Sequence, residues 1–192
     1  MTLPLGLSLA LGILSGSTLP DARLSNYQWD TRPQMSYGAQ ALLGAGRLSG
    51  GVRVWTTSTT QQLGLPDADD ARVRATSVDL VARGVVVRGL GFDVLALGSV
   101  GRMHLAYQPD RIMTMATGMP TVITLNPINE WEGGGGFAVE HRMGGVWSLG
   151  AALERRLFGL DTAHSSGGTV VEGRESFGDW TARLEIARIF TR

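Results

Sequence analysis

Leu3-Pro4-Leu5-Gly6-Leu7-Ser8-Leu9-Ala10-Leu11-Gly12-Ile13-Leu14 alternates with a period of two. Leu3, Leu5, Leu7, Leu9, Leu11 and Ile13 share one parity, and Pro4, Gly6, Ser8, Ala10 and Gly12 share the other. A helix would scatter those leucines around its circumference. A strand puts every large apolar group on one side and the small groups on the other.

The same rhythm recurs down the chain. Met35, Tyr37, Ala39, Ala41 and Leu43 alternate with Ser36, Gly38 and Gln40, and Val52 and Val54 flank Arg53. Val78, Leu80 and Ala82 alternate with Asp79, Val81 and Arg83. Phe137 and Val139 alternate with Ala138, Glu140 and Arg142. Trp147, Leu149, Ala151 and Leu153 alternate with Ser148, Gly150, Ala152 and Glu154, and Trp180, Ala182, Leu184 and Ile186 with Thr181, Arg183 and Glu185. Between Leu90 and Tyr107 the phase slips, since Asp93 and Arg102 fall on opposite parities; a bulge within one long strand is the expected repair. The pattern predicts strands near 2–14, 34–44, 47–58, 72–84, 87–106, 133–143, 146–158 and 179–190.

The connections between these strands alternate strictly. Gly44–Gly46, Arg83–Val86 and Gly144–Gly145 read as tight turns. Segments 15–33, 59–71, 107–132 and 159–178 read as long loops. Within the third, Ile112–Leu125 holds two short apolar pieces around Gly118-Met119-Pro120, a turn signal that leaves an extra hairpin open. Short turns at one end and long loops at the other, with large apolar groups facing out, are the pattern of a transmembrane barrel. The expected fold is all-β, an eight-stranded antiparallel up-and-down transmembrane β-barrel forming one domain over 1–192.

Composition agrees. The 192 residues carry 17 basic and 17 acidic groups, so no charge excess points to nucleic acid. Every basic residue is Arg, whose planar fork pairs with carboxylates bidentately. Cysteine is absent, which excludes disulfides and thiolate metal sites. The 27 glycines follow no fixed period, which excludes collagen-like and solenoid repeats.

Tyr37, Trp55, Tyr107, Trp131, Phe158, Phe177 and Trp180 fall at strand ends beside the long loops, and Trp147 and Phe190 beside the short turns. They are expected to form two aromatic girdles at the membrane borders. Trp55 has the wrong parity for lipid unless its strand bulges. The opposite face carries Arg53, Asp79, Arg83, Asp93, Arg102, Glu140, Arg142, Glu154, Arg156, Arg183 and Glu185. Charges taken from water persist only when paired and hydrogen-bonded, so this set predicts a lumen plugged by ion pairs.

On these strands, girdles and inward charges the chain resembles the small eight-stranded outer-membrane barrels of the outer membrane protein A and outer membrane protein X type. The last strand, Trp180–Phe190, resembles the C-terminal assembly signal of such barrels, with Thr191 and Arg192 following the Phe. The resemblance implies a bacterial outer membrane, with the bilayer, lipopolysaccharide and the outer-membrane assembly machinery as partners. It implies no specific activity.

Several readings stay open. Leu3–Leu14 also has the length of a leader's apolar region, with Ser15-Gly16-Ser17 as a small-x-small cleavage site. His164-Ser165-Ser166 resembles the His-x-Ser element of outer-membrane lipid A deacylases, with Ser166 as nucleophile, His164 as base and Glu172 as orienting acid. His104 and His141 share no metal-ligand spacing, and Asp67, Asp69 and Asp70 lack the calcium-loop pattern, so no metal and no cofactor is expected. A soluble lipocalin-like barrel would turn the apolar parity inward. The leading expectation is a structural or surface-interaction protein that meets an extracellular or envelope protein through its long loops.

Overall fold

The computed structural model describes residues 6–64, 70–89, 91–116, 119–166 and 169–191; the side chains of 116, 163–166, 169–171 and 191 lie outside that description. Eight strands close into an antiparallel barrel: β1 (Leu7–Leu19), β2 (Gln34–Ala45), β3 (Leu48–Gln61), β4 (Ala71–Gly89), β5 (Phe92–Gln108), β8 (Ile128–Met143), β9 (Trp147–Ser166) and β10 (Thr169–Thr191). Between β5 and β8, β6 (Arg111–Ala116) and β7 (Met119–Thr124) form a separate hairpin. The extra hairpin left open by the sequence is therefore present.

β1 pairs with β2 on one edge and with β10 on the other, which closes the ring and leaves no wall strand with a free edge. The register gives the stagger. Gly12 faces Ala187 of β10 directly. The opposite route runs Gly12, Gln40, Arg53, Asp79, Gly101, Glu132, Phe158 and reaches β10 at Phe177, ten residues from Ala187. Such a stagger tilts the strands and sets a radius that side chains can fill.

The alternation is inside-out relative to a water-soluble barrel. Ile13 is 66% exposed, Leu80 63%, Phe137 66% and Leu184 62%, all on the outer face. Arg53, Asp79 and Glu154 are buried inside. A barrel in water would bury the first set, so this wall is built for lipid.

Several boundaries differ from the sequence reading. Residues 1–5 lie outside the described residues, and β1 continues past Leu14 to Leu19 through Ser15-Gly16-Ser17-Thr18. Its apolar signal fades there because small residues permit close approach: a Cβ on Gly16 would meet the Arg183 Cβ at 2.8 Å. Leu7–Leu14, within the stretch that also has the length of a leader's apolar region, is paired on both edges. The expected turn at Arg83–Val86 is strand. β4 passes through a bulge between Val85 and Val87 and turns only after Gly89, with Gly91 at φ 82°. β5 itself keeps one phase throughout, with Asp93 facing in and Arg102 facing out, so the bulge expected within it is absent and the irregularity of this pair lies in β4. The expected loop 159–178 is mostly strand as well: β9 and β10 stay paired out to Ser166 and Thr169, well beyond their last contacts with β8 and β1 at Phe158 and Trp180. They stand as a two-stranded ribbon at the long-loop end.

Candidate functional site

The inward rows meet in the middle of the barrel. Arg53 and Asp79 are register partners on β3 and β4, which brings guanidinium and carboxylate together before any side chain reaches across. Arg53 Nε and Nη2 donate to Asp79 Oδ2 at 3.0 and 2.7 Å. Its Nη1 and Nη2 also donate to the two oxygens of Glu154, at 2.7 and 3.0 Å, from the far wall. Arg183 Nη1 reaches the same carboxylate at 2.5 Å, and Ser99 Oγ donates to it at 2.5 Å. Glu154 thus accepts from β3, β5 and β10 at once.

The chain of pairs continues towards the short turns. Arg183 Nε and Arg83 Nη2 both donate to Glu185 Oε1, at 2.9 and 2.8 Å. Gln40 closes the set, accepting from Arg83 at 2.7 Å and donating to Glu185 at 3.2 Å. Towards the long loops, Arg156 pairs with Glu132, donates to Ser77 Oγ at 3.0 Å and lies 3.8 Å from the centre of the Trp55 ring. These groups come from opposite walls, so the network crosses the lumen rather than lining it. Each charge is buried and paired, which is the condition for its survival away from water.

Glycines make the room. A Cβ on Gly134 would stand 2.6 Å from Glu154 Oε1 and 2.7 Å from Ser99 Oγ, and one on Gly101 would strike Asp79.

Below the network the lumen widens into a polar vestibule of about 190 Å³, lined by Gln40, Arg83, Asp93, Glu140, Arg142 and Glu185. Asp93 is held there by Arg88 at 2.8 Å, and Glu140 lies 3.5 Å from half-exposed Arg142. Above the network the inward rows turn mostly apolar, with Glu130 and Asp179 as the exceptions. Val73, Met103, Leu105, Phe158, Leu160 and Phe177 form one buried cluster. A short 3-10 helix, Ala22–Tyr27, folds over the mouth and drops Leu24 into that cluster, where it is 3% exposed.

This lid is tied down at several points. The Asp21 carboxylate accepts from its own helix start at Arg23 N and from Gly178 N, at 3.0 and 2.9 Å. The Arg23 side chain beside it holds Asp21 well below the usual carboxylate range. Arg23 also donates to Ser176 O, and the Tyr27 hydroxyl donates to Glu175 Oε1 at 2.5 Å. Beyond the lid, Trp29 bridges to Gln61 on β3. Between lid and ribbon runs an open cleft of about 510 Å³, walled by Tyr27, Trp29, Tyr107, Phe177, Asp161 and Thr162.

The structure corrects several sequence assignments. Arg102 is exposed on the outer wall with its guanidinium 5.3 Å from the Trp131 ring, not in the lumen, because β5 keeps one phase from Asp93 onward. Trp55 and Phe158 are buried inside, 7% exposed each, instead of in a girdle. Tyr107 packs inward against the apolar cluster, as does Phe177. All four stand on inward parity, and parity outweighs nearness to a strand end. Tyr37, Trp131 and Trp180 do face outward near the long loops, as do Trp147 and Phe190 near the short turns. Glu132 was missed because its residue was read as loop; β8 begins four residues earlier, at Ile128. Gln40 stood on the right parity but carried no charge to single it out. The His164 and Ser166 side chains lie outside the described residues, as do Asp67 and Asp69, while Glu172 is exposed on the ribbon. His104 sits 2.8 Å from Asn129 Oδ1, and His141 Nδ1 2.7 Å from Gly91 O.

No protein-family model matches the chain, and no curated protein matches it in sequence. Solved structures do match in fold. The outer membrane protein OprG of Pseudomonas aeruginosa superposes with a TM-score of 0.52 at 9% identity, over 98% of this chain and 97% of that one. This chain has the fold of the small outer-membrane β-barrels. Neisserial surface protein A (TM-score 0.49, 10% identity, 94% of this chain and 96% of that one) is also similar. So is Ail, the attachment invasion locus protein of Yersinia pestis (0.48, 13%, 98% and 100%). The apolar outer wall between two aromatic borders sets this barrel in a bilayer, and the bacterial outer membrane is where barrels of this fold reside.

Proposed function

We propose that the chain acts as one domain, a closed anchor of the outer membrane that presents recognition surfaces to an extracellular or envelope protein. The ionic centre and the lidded outer mouth support closure, since eight strands leave little lumen and these side chains fill it. The observation that carries the interaction reading is the β6–β7 hairpin. Met113 and Met115 stand opposite Val122 and Pro120 on one of its faces, and Met113, Met115 and Val122 are all exposed. This apolar face stands at the water-facing end. Contiguous exposed apolar surface there marks a contact site, and methionine adapts to varied partners. The strand β10 is the segment that the assembly machinery would engage.

The experiment is surface display. Cells carrying the full chain are expected to adhere to neighbouring cells or to a protein-coated surface more than cells without it. Met113→Ser with Val122→Ser should remove that gain while heat-modifiable gel mobility, the mark of a closed barrel, is retained. Unchanged adherence in the double variant would remove the hairpin from the account.

A further inference from the structure

The barrel wall sorts its charges by sign. Between the short turns and the base of the ribbon, the described outward rows carry Arg72, Arg74, Arg102, Arg155 and Arg188 and no Asp or Glu. The carboxylates of the same strands turn inward, where arginines neutralise them. Three of the outward arginines gather on two neighbouring strands at the long-loop end. On β4, Arg72 faces Gln108 and Arg74 faces Ala106; on β5, His104 faces Thr76 and Arg102 faces Val78. Side chains diagonal across two strands lie roughly 7–8 Å apart, so Arg74, His104 and Arg102 form one contiguous row. On the next strand, Trp131 stands opposite Arg102 and Asn129 opposite His104.

Trp131 marks the border of the hydrocarbon layer, because its exposed ring lies at the top of the outward apolar rows. The Arg102 guanidinium held beside that ring sits where hydrocarbon gives way to headgroups. Arg72, Arg74 and Arg102 form no ion pair among the described residues.

We propose that Arg72, Arg74 and Arg102 form a docking site for the phosphate groups of a lipid in the surface leaflet. The chemistry fits. Guanidinium forks bind phosphate oxygens bidentately, and the row offers several forks spaced along one lipid-facing surface, none of them paired with a carboxylate among the described residues. The apolar wall directly below, with Val78 and Val100 outward, receives the acyl chains of the same molecule. The occupant is therefore a phosphorylated lipid, not free phosphate or an acidic protein. The site rests on the membrane reading of the barrel and is independent of the hairpin's partner.

The test uses the full chain refolded in detergent micelles, with lipid binding counted by native mass spectrometry. The probes are bisphosphorylated lipid A, the same lipid stripped of phosphate, and inorganic phosphate. The bisphosphorylated lipid should bind and the stripped lipid should bind at least tenfold more weakly. Arg72→Gln/Arg74→Gln/Arg102→Gln should remove that preference. Arg188→Gln, at the other rim, should keep it. Rising salt should weaken the preference, as expected of exposed charges. Heat-modifiable mobility reports folding separately, so loss of the barrel is distinguished from loss of the site; if the triple variant does not fold, Arg72→Gln/Arg74→Gln carries the test. Equal binding of the two lipids, equal preference in the variants, or displacement by millimolar inorganic phosphate would overturn the proposal.

Discussion

The middle and the top of the lumen are lined by the same inward rows, yet they are built from opposite chemistry. The middle is Arg53, Asp79, Glu154, Arg183 and Glu185, all buried and paired. The top is mainly Leu24, Val73, Met103, Leu105, Phe158 and Phe177, with Glu130 paired to Arg174 and Asp179 accepting from the Asp21 backbone at its edge. The difference follows from what each region can reach. At the outer mouth the lid supplies Leu24, so apolar residues from wall and lid bury one another as in a soluble core. At mid-height no segment among the described residues enters from outside, and the wall side chains fill the lumen. Long arginines meeting carboxylates from the opposite wall span that width.

The comparison predicts two modes of failure. The largest effect is expected at Glu154. Glu154→Ala leaves Arg53 with Asp79 alone and Arg183 sharing Glu185 with Arg83, so one buried positive charge goes unbalanced, and losing one member of a buried ion pair costs roughly 3–5 kcal/mol. The urea midpoint in micelles should fall accordingly. Removing charge in pairs should do less: Arg53→Leu/Asp79→Leu leaves Glu154 still bound by Arg183, and is expected to cost less than Arg53→Leu alone. Next comes Phe177→Ala at the top, which leaves a cavity costing about 3 kcal/mol, with no such rescue from a second neutral substitution. Gly134→Ala should follow at roughly 1–3 kcal/mol, because its Cβ meets a carboxylate pinned by Arg53 and Ser99 and unable to step aside.

The smallest effect is at the lid and depends on pH. The folded Asp21 carboxyl is depressed, first by its hydrogen bond from the Arg23 side chain. A depressed carboxyl contributes fully above its unfolded value near ~4 and loses that contribution as pH falls further towards its folded value. Amide exchange in residues 21–30 is therefore expected to accelerate relative to the wall strands below about pH 4. Asp21→Asn should remove this dependence.

Much of the wall was legible because lipid outside and charge inside give one strand two contrasting faces. The signal fails where that contrast ends. Above the membrane border the outward row of the β9–β10 ribbon carries exposed Asp161, Glu172 and Arg174 in place of lipid-facing apolar groups, so Gly159–Gly178 reads as loop although much of it is strand. Ser15–Leu19 fades for a different reason, since small residues there serve close packing against β10. Arg102 misleads because a charge was expected to point inward; next to Trp131 it has left the hydrocarbon and can face out. Trp55 and Phe158 mislead in the opposite sense, as border-type residues on inward parity. The bulge at Val85/Val87 hides in a run of valines whose uniformity erases the phase. The lid was invisible, because Leu24 is a single apolar residue in a polar segment and its burial depends on the distant pairing of β9 and β10.

The absence of cysteine makes the central claim directly measurable. Single cysteines at Leu149, Ala151, Leu153 and Leu157, and at Ala152 and Phe158, can each carry a spin label in a lipid bilayer. The account predicts high collision rates with dissolved oxygen for the first four and protection for the last two, the labelled rows alternating along β9. Oxygen protection of the leucine row, with the Ala152 and Phe158 row open to a water-soluble relaxation agent, would contradict it and turn the barrel right side out.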